Sequence, residues 1–188
     1  MYYQRRVPHW HPQGKDIFIT WRLEGTLPKN RYVPPDGLTS GRAFVWIDRF
    51  LDQARYGPSW LRRLEIAQSV VNALLHGESD LRHYVLHAYV VMPNHVHMLI
   101  TPIESVPDIM HSLKGFTART ANLLLDRTGL PFWQRESYDH WVRDGEFDKI
   151  VRYIELNPVN AGLAREPHLY PWSSAARREA GSTTGSPA

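Results

Sequence analysis

The stretch 84–101 constrains this chain more than any other. Two apolar runs, 84–91 and 95–101, are parted only by a short break at Pro93-Asn94. Strand-forming runs interrupted by a turn dipeptide predict an antiparallel β-hairpin. Upstream, 16–23 is rich in β-branched and aromatic residues and predicts a further strand. Residues 43–56 predict a short helix broken by Gly57-Pro58. A clearer helix spans 60–76, with Ser59 to cap it and Gly77 to end it. Its Leu61, Leu64, Ala67, Val70, Val71 and Leu74 recur at the three-four spacing of one buried face. The longest helix is expected over 107–128, stopped by Gly129, with Ile109, Leu113, Phe116 and Leu123 or Leu124 as its buried stripe. Residues 132–134 and 138–142 read as strand or strand edge, and 145–157 as a helix stopped by Pro158.

A strand, helix, hairpin, helix, strand, helix order argues for α+β architecture rather than a doubly wound parallel sheet. A ferredoxin-like antiparallel sheet with helices packed on one face is the simplest closure. The 188 residues fit one domain. Residues 1–16 read as a loose arm, 24–42 as a long loop, and 180–188 as a low-complexity, disordered tail. No apolar run reaches the roughly 18 residues of a membrane span, and no apolar h-region follows the start. The chain has no cysteine, which excludes disulfides, thiolate zinc sites, iron–sulfur clusters and a cysteine nucleophile. A cytoplasmic protein is expected.

The sharpest chemical feature is Met92-Pro93-Asn94-His95-Val96-His97. Residues i and i+2 of a strand share a face, so His95 and His97 point one way and Val96 and Met98 the other, into the core. Two imidazoles on one face begin a metal site. A bare H-x-H is more often a pair of histidines on an ordinary strand, and His9-Trp10-His11, in a Pro-rich arm, is assigned no function. His83 and His87 read as structural or solvent-facing. The second feature is Tyr153 with Asn157, four apart on a helix and so one turn apart on one face. That face borders Phe147, Ile150 and Ile154 and looks toward the sheet.

Taken together these motifs resemble the single-tyrosine HUH transposases of the IS200 type, and most of all their REP-associated branch. The resemblance covers about 14–178. It rests on Met92-Pro93-Asn94-His95-Val96-His97, Phe132-Trp133-Gln134-Arg135 with Tyr138-Asp139-His140, Arg152-Tyr153-Ile154 with Asn157-Pro158-Val159-Asn160-Ala161-Gly162, and Trp172-Ser173-Ser174. It implies an HUH endonuclease fold over 1–179 and a metal-dependent enzyme that cuts and rejoins single-stranded DNA through a 5′-phosphotyrosine. Tyr153 matches the nucleophile. His95 and His97 match the metal-binding pair around a hydrophobic Val96, and Asn157 the third ligand, where the insertion-sequence enzymes carry Gln. The implied cofactor is Mg²⁺ or Mn²⁺, and imidazole ligands suit Mn²⁺ at least as well. The implied partner is single-stranded or hairpin DNA of REP type, met by a monomer or homodimer in the nucleoid.

The charge is +3, and 18 of the 22 basic residues are arginine, the cation best matched to phosphate. Arg22, Lys114, Arg119, Arg135 and Arg143 are the candidate DNA contacts, each equally readable as a solvated surface cation. Trp133 reads as core. Two rival readings stand beside the enzyme: a catalytically silent DNA-hairpin-binding protein of the same fold, and a small metallohydrolase that has no use for Tyr153.

Overall fold

The computed structural model describes residues 14–28 and 40–183. The arm through residue 13, with His9 and His11, the loop at 29–39 and the last five residues lie outside the described residues. The elements run β1 (Ile17–Arg22), α1 (Ser40–Asp52), α2 (Leu64–Ser79), β2 (Tyr84–Val91), β3 (His95–Pro102), α3 (Val106–Leu124), β4 (Tyr138–Trp141), α4 (Phe147–Asn160) and α5 (Ser174–Thr183). The four strands form one sheet of order β2-β3-β1-β4, with every neighbouring pair antiparallel. This is the ferredoxin-like arrangement, α+β as expected. The hairpin joins β2 to β3, and β1 enters between β3 and β4.

Helices cover both faces of the sheet, not one. Alternation along the strands decides the split. Ile17, Ile19 and Trp21 of β1 and Val96, Met98 and Ile100 of β3 point into a large apolar core with α2 and α3. Phe18 and Leu99 point the other way, into a smaller core with Phe44 of α1 and Phe147, Ile150 and Ile154 of α4. The strands are apolar on both sides, so helices on one face alone would leave the Phe18 and Leu99 side in water. The two-sided arrangement buries both.

Helix ends differ from the expected ones for local reasons. The 60–76 segment opens as a 3₁₀ turn at Trp60–Arg62, and α2 begins at Leu64, which is exposed while Ile66 is buried. Ser59 makes no side-chain cap. In α3 the buried stripe is Ile109, Met110, Leu113, Thr117 and Ala121, rotated so that Phe116 and Leu123 face out. Ser105 caps α3 by accepting from the Asp108 N–H at 3.3 Å. Residues 132–134 contribute only a bridge, Leu23 to Trp133. Pro158 does not stop α4, which runs on to Asn160. It lies in the last turn, where the Ala161 N–H reaches Asn157 O and the Leu163 N–H reaches Pro158 O. Helix α5 includes Ala180–Thr183, so the chain is helical past the point where its composition turns to that of a tail.

The Trp172-Ser173-Ser174 motif extends the sheet edge. The Val91 N–H donates to Trp172 O at 2.9 Å, and the Tyr89 N–H to Ser174 Oγ at 3.2 Å. Ser174 Oγ in turn donates to Glu155 Oε1 at 2.8 Å. Arg178 pairs with the same Glu155. The motif thereby pins α4 two residues beyond Tyr153.

Gly77 sits inside α2, not at its end, because the Tyr84 ring lies over it and the Tyr84 hydroxyl donates to Leu74 O at 2.8 Å. A Cβ on Gly77 would lie 2.3 Å from that hydroxyl oxygen. Alanine in a helix interior ordinarily gains about 1 kcal/mol over glycine. Here Gly77→Ala should instead cost roughly 1–3 kcal/mol by overpacking. Thermal melts of Gly77→Ala and of Gly77→Ala with Tyr84→Phe check this; the double variant should recover part of the loss, and a rise in Tm for Gly77→Ala alone would refute the clash.

Candidate active site

The site lies where β3 and β1 meet α1 and α4, on the face of the smaller core. His95 and His97 point there together, as their spacing requires, and both are fully buried. Their Nε2 atoms are 3.0 Å apart. Each ring is held from behind. Asn94 donates through Nδ2 to Leu51 O at 3.0 Å, which leaves its Oδ1 to accept from His95 Nδ1 at 2.7 Å. His95 Nε2 is then the nitrogen with the free lone pair. His97 Nδ1 lies 2.7 Å from the Thr20 hydroxyl, its partner across the β1–β3 register. Hydrogen-bonded outer nitrogens of this kind orient metal-binding histidines. Burial pushes both imidazoles down to about 3, with His97 adding to the shift of His95, so both are neutral near pH 7.

Sequence reasoning missed the acidic half of the site, Asp48 and Asp52 of α1. Asp48 is 1% exposed, and its Oδ1 lies 3.4 Å from His97 Nε2 and 3.7 Å from His95 Nε2. Asp52 Oδ1 is 3.7 Å from His95 Nε2. Burial raises Asp48 above the usual carboxylate range, opposed by His95, Tyr153 and Asn157. Burial and the neighbouring Asp48 push Asp52 up to about 8. Among the described residues, Asp48, His95 and His97 form the group of three able to converge on one ion.

Tyr153 and Asn157 enter from α4. The Tyr153 hydroxyl donates to Asp48 Oδ2. Its ring packs edge-on against Phe18, Phe44 and His97. Burial, then the charge of Asp48, raises the phenol far above its ordinary value. Asn157 is buried, with Nδ2 3.3 Å from His97 Nε2. Asp48 Oδ1, Asp52 Oδ1 and Asn157 Oδ1 are buried with no hydrogen-bond partner. Three orphaned oxygens around two imidazole lone pairs are the donor set of a divalent cation. The residues fit such an ion.

The candidate DNA contacts scatter. Arg22 lies on the site's face of the sheet, opposite His95 in register, and donates to Thr26 Oγ1 at 3.1 Å. Lys114 lies on α3, behind the other face, and its ammonium is spent on Gln134 O, Arg135 O and Ser137 Oγ. Arg119 is exposed on α3 and Arg135 beside that loop. Arg143 is exposed and packs over Trp141. Other cations share a cavity with the α4 residues of the site. Arg49, Arg55 and Arg62, all exposed, line a cavity of about 750 Å³ together with Tyr153 and Asn157. Among the described residues no carboxylate forms an ion pair with any of the three. Trp133 is core, donating to Thr117 Oγ1 at 2.9 Å. His140 faces Glu146 at 3.7 Å. His87 is tied to Thr101 Oγ1 at 2.6 Å, the structural role its spacing suggested.

A family model described as IS200-like transposase matches residues 62–157. A search of curated proteins finds no match to the chain. Among solved structures, a REP-associated tyrosine transposase bound to a REP hairpin shares the fold with TM-score 0.62 at 19% identity, covering 94% of this chain and 86% of that one. A candidate transposase from Deinococcus radiodurans aligns at TM-score 0.42 and 17% identity, covering 82% and 98%.

Asp52 gives a pH prediction for the metal-free protein. With its folded value near 8 and an unfolded value near 3.9, the folded state carries a proton at neutral pH that the unfolded state lacks. Stability then falls as pH rises between those values. An unfolded histidine is still about half protonated near pH 6.5, so the two buried imidazoles oppose the effect there and drop out only toward about pH 8. Chelated protein should lose roughly 0.7 kcal/mol per pH unit between pH 7 and 8, and Asp52→Asn should reduce that loss. Denaturant titrations at several pH values measure it; an equal slope in Asp52→Asn would refute the assignment.

Proposed function

The chain belongs to the IS200-like transposase family, and we propose that it is a metal-dependent enzyme that nicks and rejoins single-stranded DNA beside REP-type hairpins. One observation carries the reading: a tyrosine hydroxyl and two metal-ready imidazoles converge on a single carboxylate, with a buried amide against one of the imidazoles, beside a cavity lined by exposed arginines. The solved structure of similar fold is of a REP-associated tyrosine transposase with a REP hairpin bound, which supports the choice of DNA.

In this reading Tyr153 Oη attacks phosphorus, the bond to the 3′ oxygen breaks, and a 5′-phosphotyrosine and free 3′-OH result. Return of a 3′-OH reverses the exchange, so no nucleotide cofactor is consumed. His95 and His97, with Asn157, would hold Mg²⁺ or Mn²⁺. Such an ion supplies Lewis-acid stabilisation of charge on the phosphate oxygens. Phe18 and Phe44 fix the phenol ring, and α4 fixes its distance from the histidines. Arg49, Arg55 and Arg62 take the backbone phosphates that lead to Tyr153, with Arg22 behind them. Single-stranded DNA can follow such a cavity to its floor. The place of action is the cytoplasm, with the nucleoid, and the working unit is a monomer or homodimer. No described helix is long and apolar enough to cross a membrane.

The silent hairpin-binding alternative is separated by one experiment. Tyr153→Phe keeps the ring and should abolish cleavage and the covalent adduct while hairpin binding survives. His95→Ala and His97→Ala should abolish cleavage by intact folded protein. A denaturing gel of labelled oligonucleotide decides; a persistent adduct in Tyr153→Phe sinks the nucleophile, and absence of any adduct in the parent favours the silent binder.

The arginine rim is tested by salt. Each lost phosphate contact should lower the slope of log K against log salt by about 0.7 for single strands. The Arg49→Ala, Arg55→Ala, Arg62→Ala triple variant should flatten the slope by about 2, against little change for Arg119→Ala. Equal slopes for parent and triple variant would move the DNA path elsewhere.

A further inference from the structure

Asp48 lies against both histidines and Tyr153, and its two oxygens do different things. Oδ2 accepts the Tyr153 hydroxyl. Oδ1 faces both His Nε2 atoms, at 3.4 and 3.7 Å, and has no hydrogen-bond partner although the side chain is 1% exposed. An unsatisfied buried carboxylate oxygen is costly. An oxygen so placed, facing two imidazole nitrogens with no hydrogen-bond donor of its own, is a ligand position.

We propose that Asp48 is a bridging residue: Oδ1 joins His95 and His97 in binding the divalent cation while Oδ2 holds the Tyr153 hydroxyl, so that filling the cation site and aligning the nucleophile are one event. The inference rests on the reading of Tyr153 and the His pair given above. It adds a ligand from α1 and a mechanical link that the His-x-His pattern does not contain. A carboxylate is short and planar, so a cation bound to one oxygen fixes the direction of the other. The phenol, restrained by Phe18, Phe44 and His97, then has its hydroxyl oriented by the carboxylate plane. Asp48 touches no reacting phosphorus in this scheme. It acts through Tyr153 and is a positioning residue.

The test uses the full chain, stripped of metal. Asp48→Asn keeps shape and removes the charge, so the metal-free variant should melt at or above the parent's temperature. Mn²⁺ binding by titration calorimetry should weaken by about tenfold or more in Asp48→Asn, a loss at least as large as that for removing an outer-shell partner. A second readout follows the tyrosine. In protein labelled with 3-fluorotyrosine, the ¹⁹F resonance missing from Tyr153→Phe belongs to Tyr153. Adding Mg²⁺ should shift that resonance in the parent and leave it unmoved in Asp48→Asn. Unchanged Mn²⁺ affinity in Asp48→Asn overturns the ligand role, and an equal Mg²⁺ shift overturns the link to Tyr153. Where Asp48→Asn does not fold, Asp48→Ala takes its place in both measurements: weakened Mn²⁺ binding and an unmoved resonance support the bridge, and parental values of either overturn it. If the parent binds no Mn²⁺, the cation site of the proposed function has failed. If the parent binds Mn²⁺, with the Tyr153 shift as expected, but forms no adduct with DNA, the bridge stands and the nucleophile assignment has failed.

Discussion

The antiparallel pairing of β1 with β3 in the middle of the sheet is the contact on which the rest depends. It places Thr20 opposite His97 and Arg22 opposite His95. Because side chains alternate along a strand, this one register sends Val96, Met98, Ile19 and Trp21 to one core and both histidines to the other. A slip by one residue would exchange them, burying imidazoles among α2 and α3 and facing valine and methionine toward Tyr153. The apolar core behind β3 is thus what specifies the register, and the histidines inherit their direction from it.

The fold was legible where pattern is local. The β2–β3 hairpin, the strand β1 and the helices α2, α3 and α4 lie within a few residues of where the spacing of apolar side chains puts them. Their rotation was less legible. Phe116 and Leu123 look like stripe residues, yet Thr117 and Ala121 take the buried positions. The reason is the Trp133 indole, which donates to Thr117 Oγ1 and draws that face of α3 inward. No local pattern carries a contact made sixteen residues away. The choice of two sheet faces over one was hidden in the same way, since a helix pattern shows that a stripe is buried but not against which side.

The site divides along the same line. His95 and His97, two apart on a strand, and Tyr153 and Asn157, four apart on a helix, are pairs that secondary structure alone brings together. Asp48 meets them only through tertiary packing, Tyr153 being 105 residues further on. A signal existed nonetheless. Phe44, Asp48 and Leu51 share the four-three spacing of one helix face, and an acid between two apolar residues of a buried stripe needs a partner. Arg49, Arg55 and Arg62 escaped because nothing in sequence separates them from other arginines; only the cavity does.

The charges of the finished site are arranged in depth. Arginines line the cavity together with Asp52, Tyr153 and Asn157, and Asp48 with two neutral imidazoles lies buried beside it. In the proposed function the arginines attract a polyanion, and the buried carboxylate beside Tyr153 disfavours a phosphate there in the absence of a cation. In that reading the cation contributes through electrostatics as well as Lewis acidity. It offsets the Asp48 carboxylate that holds the Tyr153 hydroxyl before a phosphate reaches it. The two sides of the sheet differ accordingly: one oxygen each of Asp48, Asp52 and Asn157 is buried without a hydrogen-bond partner on the site's side, and the larger apolar core with α2 and α3 lies on the opposite face.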